Sequence, residues 1–122
     1  MKLEGIVQRG EGNASFRYSV PTANIYVSGA EEGVFIGETN KGGDVYNALI
    51  CVRSALVDNV ASNKQILEAH LFDFSGDLYG TSIEVVIKQK IRDLVPFQDH
   101  ESMRILIEED VRKARAFLTP SP

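Results

Sequence analysis

Two periods of apolar residues divide this chain. From the N-terminus to about residue 92 the apolar positions fall in short runs rich in β-branched and aromatic side chains: "LEGIVQR", "ANIYV", "GVFIGET", "VYNALICV", "ILEAHLFDF" and "IEVVIKQKI". Runs of this kind, bounded by turn residues, read as strands. The clearest boundary is "NKGGD", where Gly42 and Gly43 supply the positive φ angles of a tight hairpin. From Met103 the period changes: Ile107, Val111, Ala114 and Leu118 recur at helical spacing, with Arg104, Glu108, Arg112 and Arg115 among the polar positions between them. Asp99 is suited to cap that helix, and Pro120 cannot continue it. The pattern predicts a small antiparallel barrel or sandwich of about six strands, with one C-terminal helix packed against it.

Composition narrows the class. A chain of 122 residues accommodates one domain, spanning 1–122, with one core. Its formal charge of -4 offers no basic surface for a polyanion, so nucleic acid is not the expected partner. No window is apolar for long enough to cross a bilayer, and "MKLEGIVQRG" turns polar too soon for a signal peptide; a cytoplasmic location with no membrane partner is expected. Cys51, the single cysteine, lies in the apolar run "ALICV" and reads as a small buried hydrophobe rather than a reactive thiol. No feature of the sequence specifies an oligomeric state.

Candidate chemistry lies in two places. Alternation along "ILEAHLFDF" puts Leu67, Ala69 and Leu71 on one face, and Ile66, Glu68, His70, Phe72 and Phe74 on the other. Glu68 is then either a solvated residue of an outward face or a base at the wall of a cleft; His70 is either a second proton acceptor or a histidine satisfied by nearby backbone. The other place is "VPTANIYV". Thr22 and Asn24 there offer a hydroxyl and a carbonyl oxygen, hard ligands suited to magnesium, or equally the makings of an ST-turn or Asx-turn at a strand entry. The preceding "GEGNAS" is not a dinucleotide fingerprint, and the chain has no G-x-x-x-x-G-K-[ST] phosphate loop.

Taken together and in order, "GIVQRGEG", "PTANI", "EGVF", "LEAHLFDFSGDLYG", "KIRDLVPF" and "ILIEEDVRKAR" resemble the flavokinase domain, that is riboflavin kinase, especially the bacterial form usually found as the C-terminal half of a bifunctional flavin enzyme. The likeness runs from about Gly5 to Leu118. It implies a six-stranded antiparallel β-barrel with a C-terminal α-helix, and transfer of the ATP γ-phosphoryl group to the 5′-hydroxyl of riboflavin to give FMN. By this resemblance Thr22 and Asn24 hold Mg2+ and the nucleotide phosphates, Gly10 and Gly12 belong to the nucleotide loop, Glu68 is the catalytic base, and Arg92 and Phe97 contact the flavin.

The chain also departs from that pattern. Ser15, Phe16 and Ser19 occupy positions of a glycine, an arginine and a second glycine, where glycine would let backbone N–H groups approach phosphate. Arg53 stands where a further glycine is expected, and Ala55, Leu56 and Val57 replace arginine, proline and threonine. Arg53 either fills the cleft or supplies a replacement phosphate contact. The sequence therefore fits two functions: a working stand-alone kinase, and a catalytically impaired flavin- or nucleotide-binding module with a regulatory role. A structural domain with an empty cleft is the more distant third.

Overall fold

The computed structural model describes residues 1–8, 23–57, 60–74, 78–96 and 98–118. Within them run six strands, β1 (Lys2–Ile6), β2 (Ala23–Val27), β3 (Gly33–Lys41), β4 (Asp44–Val57), β5 (Val60–Leu71) and β6 (Ser82–Arg92), followed by the helix α1 (His100–Leu118). All pairings are antiparallel, in the order β1-β6-β3-β4-β5-β2. The two ends of the sheet meet at a single bridge between Gln8 and Asn24, where the Gln8 N–H donates to the Asn24 carbonyl at 2.7 Å. A nearly closed barrel results, as expected from the sequence.

The β3–β4 hairpin turns at the residues that the composition marks. Lys41 pairs with Asp44, leaving Gly42 and Gly43 as a two-residue turn with φ of 57° and 95°. The Asn40 side chain accepts the Gly43 N–H at 3.1 Å. The next hairpin is longer than the apolar runs suggest: β4 continues through "RSALV" and β5 begins at Val60, with a register shift between Ser54 and Leu56. No proline interrupts the segment, so every residue retains an N–H for the ladder. At its other end β5 stops at Leu71. Asp73 then takes a left-handed φ of 61° and breaks the alternation. Phe74 consequently packs with the barrel interior, edge-on to Tyr46 at 5.1 Å, and not on the face of Glu68 where strict alternation puts it.

Strand alternation creates two cores. Ala23, Ile25, Phe35, Ala48, Ile50, Val52, Leu67, Ala69, Leu71, Ile83 and Val85 fill the barrel; Val34, Ile36, Leu49, Cys51 and Phe72 point outward and are covered by Ile107 and Ala114 of α1. Cys51 is buried here, as its apolar neighbours imply. Where β3 crosses β6 the backbones come so close that a Cβ on Gly37 would lie 2.0 Å from the Val86 carbonyl oxygen. Backbone cannot yield as a side-chain tip can. Gly37→Ala is therefore expected to cost at least about 2 kcal/mol, toward the upper part of the overpacking range, measured as a lower urea midpoint; a change within about 0.5 kcal/mol would mean that the two strands can part without loss.

Asp99 caps α1 as anticipated. Its carboxylate accepts the Ser102 N–H at 2.8 Å and the Ser102 hydroxyl at 2.9 Å. The Ser102 backbone N–H first, and then its hydroxyl, hold the Asp99 carboxyl below its ordinary value of 3.8. A depressed pKa contributes stability above the unfolded value and loses it as pH falls through the folded one. Asp99→Ala is thus expected to lower the melting temperature at neutral pH and to make no difference in acid well below 3.8; an equal deficit at both would remove the cap as the cause. No helix among the described residues is long and apolar enough to cross a membrane.

Candidate active site

Register brings the candidate residues onto one rung of the sheet. Asn24 of β2 pairs with Glu68 of β5, Glu68 with Cys51 of β4, Cys51 with Val34 of β3, and Val34 with Arg92 of β6. Directly paired residues share a face, and each step is about 5 Å. Five residues from five strands therefore form a row across the outside of the barrel. Asn24 and Glu68 stand at one end, beside the seam where the sheet meets itself. Arg92 stands at the other, under the helix.

Glu68 is 1% exposed, so the solvated outward face is not its setting. Its Oε1 accepts the Arg53 Nε–H at 3.0 Å, and Arg53 Nη2 lies 3.0 Å from the same oxygen. The guanidinium keeps 28% of its side chain exposed. A buried carboxylate is tolerated when paired and hydrogen-bonded, and Arg53, standing where the resemblance expects glycine, provides both. His70, two residues on, is buried edge-on to Phe72 at 5.2 Å, and Arg115 of α1 lies over that ring at 4.4 Å from its centroid.

Asn24 is buried, and its Oδ1 has no hydrogen-bond partner among the described residues. Buried polar atoms are nearly always satisfied, so an orphaned carbonyl oxygen directly across from Glu68 fits a hard cation or a donor supplied by a ligand. An Asx-turn would instead have engaged that oxygen with nearby backbone. Gly10, Gly12, Ser15, Phe16, Ser19, Thr22 and Phe97 lie outside the described residues.

At the far end of the rung a cavity of about 50 Å³ opens between sheet and helix, lined by Val34, Cys51, Arg92, Leu94, Val95, Met103 and Ile107. Its wall at Cys51 is one strand spacing from Glu68. As it stands it is a fraction of the roughly 300–1,000 Å³ of an ordinary small-molecule cleft. Arg92 reaches the cavity, but its charge is engaged. Nε lies 3.0 Å from both Asp110 carboxylate oxygens, Nη2 donates to Oδ2 at 2.7 Å, and Nη1 donates to the Asp93 carbonyl at 3.0 Å. Lys90 pairs with Asp93 and Glu31 at 2.6 Å each, and the hydrogen bond to Asp93, then that to Glu31, raises its pKa.

Asp110 escapes the sequence reading. It lies three residues after Ile107 and four before Ala114, within the apolar stripe of α1, and is 1% exposed. A lone charge in such a stripe needs a buried partner, and that was the available signal. The Arg53–Glu68 pair has no comparable sequence signature; it follows from the β4–β5 register.

A small antiparallel barrel thus carries a buried carboxylate opposite an unsatisfied amide at its seam, and a small, mostly apolar cavity between sheet and helix. The family model for riboflavin kinase, Flavokinase, matches residues 1–118, and the chain belongs to that family. It is 35% identical over 101 residues to the bifunctional riboflavin kinase/FMN adenylyltransferase of Haemophilus influenzae, covering 80% of this chain and 32% of the relative. To the Pseudomonas fluorescens protein of the same description it is 32% identical over 125 residues, covering 98% and 39%. The chain thus spans a third to two-fifths of the length of these relatives. Among solved structures the riboflavin kinase of Trypanosoma brucei superposes with a TM-score of 0.65 at 18% identity, covering 96% of this chain and 76% of that one. A Streptococcus pneumoniae chain described as a macrolide-efflux protein gives 0.79 at 23% identity, covering 93% and 38%. These two likenesses concern the fold.

Proposed function

We propose that the protein is a riboflavin kinase acting in the cytoplasm, using ATP as co-substrate and Mg2+ as its metal. Family membership supports the reaction, and the observation that carries its placement is the direct pairing of Asn24 with Glu68 at one end of a rung whose other end enters the cavity. Riboflavin lies with its ring toward Val34, Met103 and Ile107 and its ribityl chain along the rung toward Glu68. Glu68 accepts the proton of the 5′-hydroxyl as that oxygen bonds to the γ-phosphorus; the bond from the γ-phosphorus to the β,γ-bridging oxygen breaks, and ADP leaves. Asn24 Oδ1, with the Thr22 hydroxyl, would hold Mg2+, which when bound neutralises charge on the nucleotide phosphates. Positioning and charge neutralisation are most of what phosphoryl transfer asks of a protein.

Purified protein mixed with riboflavin, ATP and magnesium is expected to form FMN, read by chromatography. A binding module of the same fold, the second function raised by the departures at Ser15, Phe16, Ser19 and Arg53, would bind riboflavin and yield none. That result from folded protein would replace the kinase reading.

A further inference from the structure

We propose that Arg53 binds the phosphoryl group that passes from nucleotide to flavin, with its guanidinium held in place for that contact by Glu68. The inference rests on the kinase reading and adds a residue to it.

Position is the first support. Arg53 shares the outward face with Cys51, two residues further along β4, but β3 begins at Gly33, opposite Val52. No β3 residue therefore pairs with Arg53, and its side chain is only partly covered. The second is how its donors are used. Nε and Nη2 converge on one oxygen of Glu68, while Nη1 has no hydrogen-bond partner among the described residues and the side chain is 28% exposed. A guanidinium is a planar fork with five N–H donors and a permanent charge, well matched to phosphate oxygens. Two donors serve here as an anchor, and the outward edge is left for a ligand.

Charge supplies the third support. A carboxylate that accepts the hydroxyl proton must lie within a hydrogen bond of the very oxygen that receives phosphorus, and so beside a polyanionic group that it repels. A cation docked on that carboxylate offsets the repulsion at the same point. Because Arg53 is one hydrogen bond from Glu68, the phosphate it can reach is the transferring one, the terminal group of ATP before reaction and the phosphate of FMN afterwards. The same geometry separates Arg53 from contacts specific to riboflavin, which lacks that phosphate.

The test compares Glu68→Gln with Glu68→Gln/Arg53→Gly, so that removing the cation leaves no buried carboxylate bare. FMN and riboflavin are titrated separately against each folded variant and followed by flavin fluorescence. Loss of Arg53 is expected to weaken FMN at least about tenfold, the scale of one charge-assisted hydrogen bond, while riboflavin affinity stays within about twofold. Arg53→Lys in the same background should recover part of the FMN affinity. An unchanged ratio of the two affinities overturns the proposal, and so does an equal loss for both flavins, which would make Arg53 a structural prop. Failure of folded Glu68→Gln to bind either flavin overturns the proposal, because Glu68 would then be needed for flavin binding itself; the kinase reading is decided separately by FMN formation in the wild type. The two separate cleanly elsewhere: wild-type protein that forms FMN with an unchanged ratio keeps the kinase and loses the Arg53 contact, whereas a reduced ratio without FMN formation leaves Arg53 as a contact to the flavin phosphate and overturns both the kinase and the part of the proposal that concerns a transferring group.

Discussion

Glu68→Gln is expected to reduce FMN formation by at least about a hundredfold, the lower end of what a positioned base contributes, with riboflavin affinity preserved. The substitution isolates proton acceptance, because an amide oxygen can still take the two Arg53 contacts made at 3.0 Å to Oε1. What disappears is the charge. Arg53, 28% exposed, can be stabilised by water once its partner is neutral, so folding should be little affected and the melting temperature within a few degrees of wild type. Single-turnover chromatography with saturating riboflavin and ATP would read the effect on the chemical step. Turnover within about tenfold of wild type would show that the proton leaves by another route, water or a phosphate oxygen, and that the carboxylate serves geometry alone.

The largest effect on stability is expected from Arg92→Ala. Asp110 is 1% exposed and takes three contacts from the Arg92 guanidinium at 2.7–3.0 Å. Removing the arginine strands a buried carboxylate, which typically costs about 3–5 kcal/mol; for a domain of this size a drop of roughly 10–20 °C in melting temperature follows. Replacing both partners with apolar residues, Arg92→Met/Asp110→Leu, should recover most of that loss, since the cost lies in the unpaired charge more than in the missing bond. A single-variant cost below about 1 kcal/mol would mean that Asp110 reaches water when its partner is gone. This pair joins β6 to α1, and Arg92 also lines the cavity between them, so whatever loosens the pair also changes that wall.

Most of the barrel was legible in the sequence because local chemistry dictates it. Gly42 and Gly43 permit a two-residue turn that few other residues adopt, and the change from a two-residue to a helical period at Met103 marks the end of the sheet. Glu68 and Asn24 were legible as candidates from strand alternation and ligand chemistry, and their roles from the resemblance; that they lie opposite one another is a matter of register that no local pattern reports. Phe74 illustrates the limit. Alternation holds only while φ stays extended, and one left-handed residue, Asp73, sends the ring to the other core. Asp110 and Arg53 illustrate another: each is an ordinary surface residue by composition, and each acquires its meaning from a partner 18 or 15 residues away in sequence.

The common rung also fixes which kinds of sequence change the site can survive. Its five positions are aligned by backbone ladders, so exchanging a side chain alters one member and leaves the other four in place. Inserting or deleting one residue within β5 upstream of Glu68 is a different event: it slips the pairing with β2 or β4 and turns the carboxylate from the outer face toward the apolar interior. Divergence in this chain should therefore run through substitution along the rung, with length changes confined to connections such as the one between Val27 and Gly33.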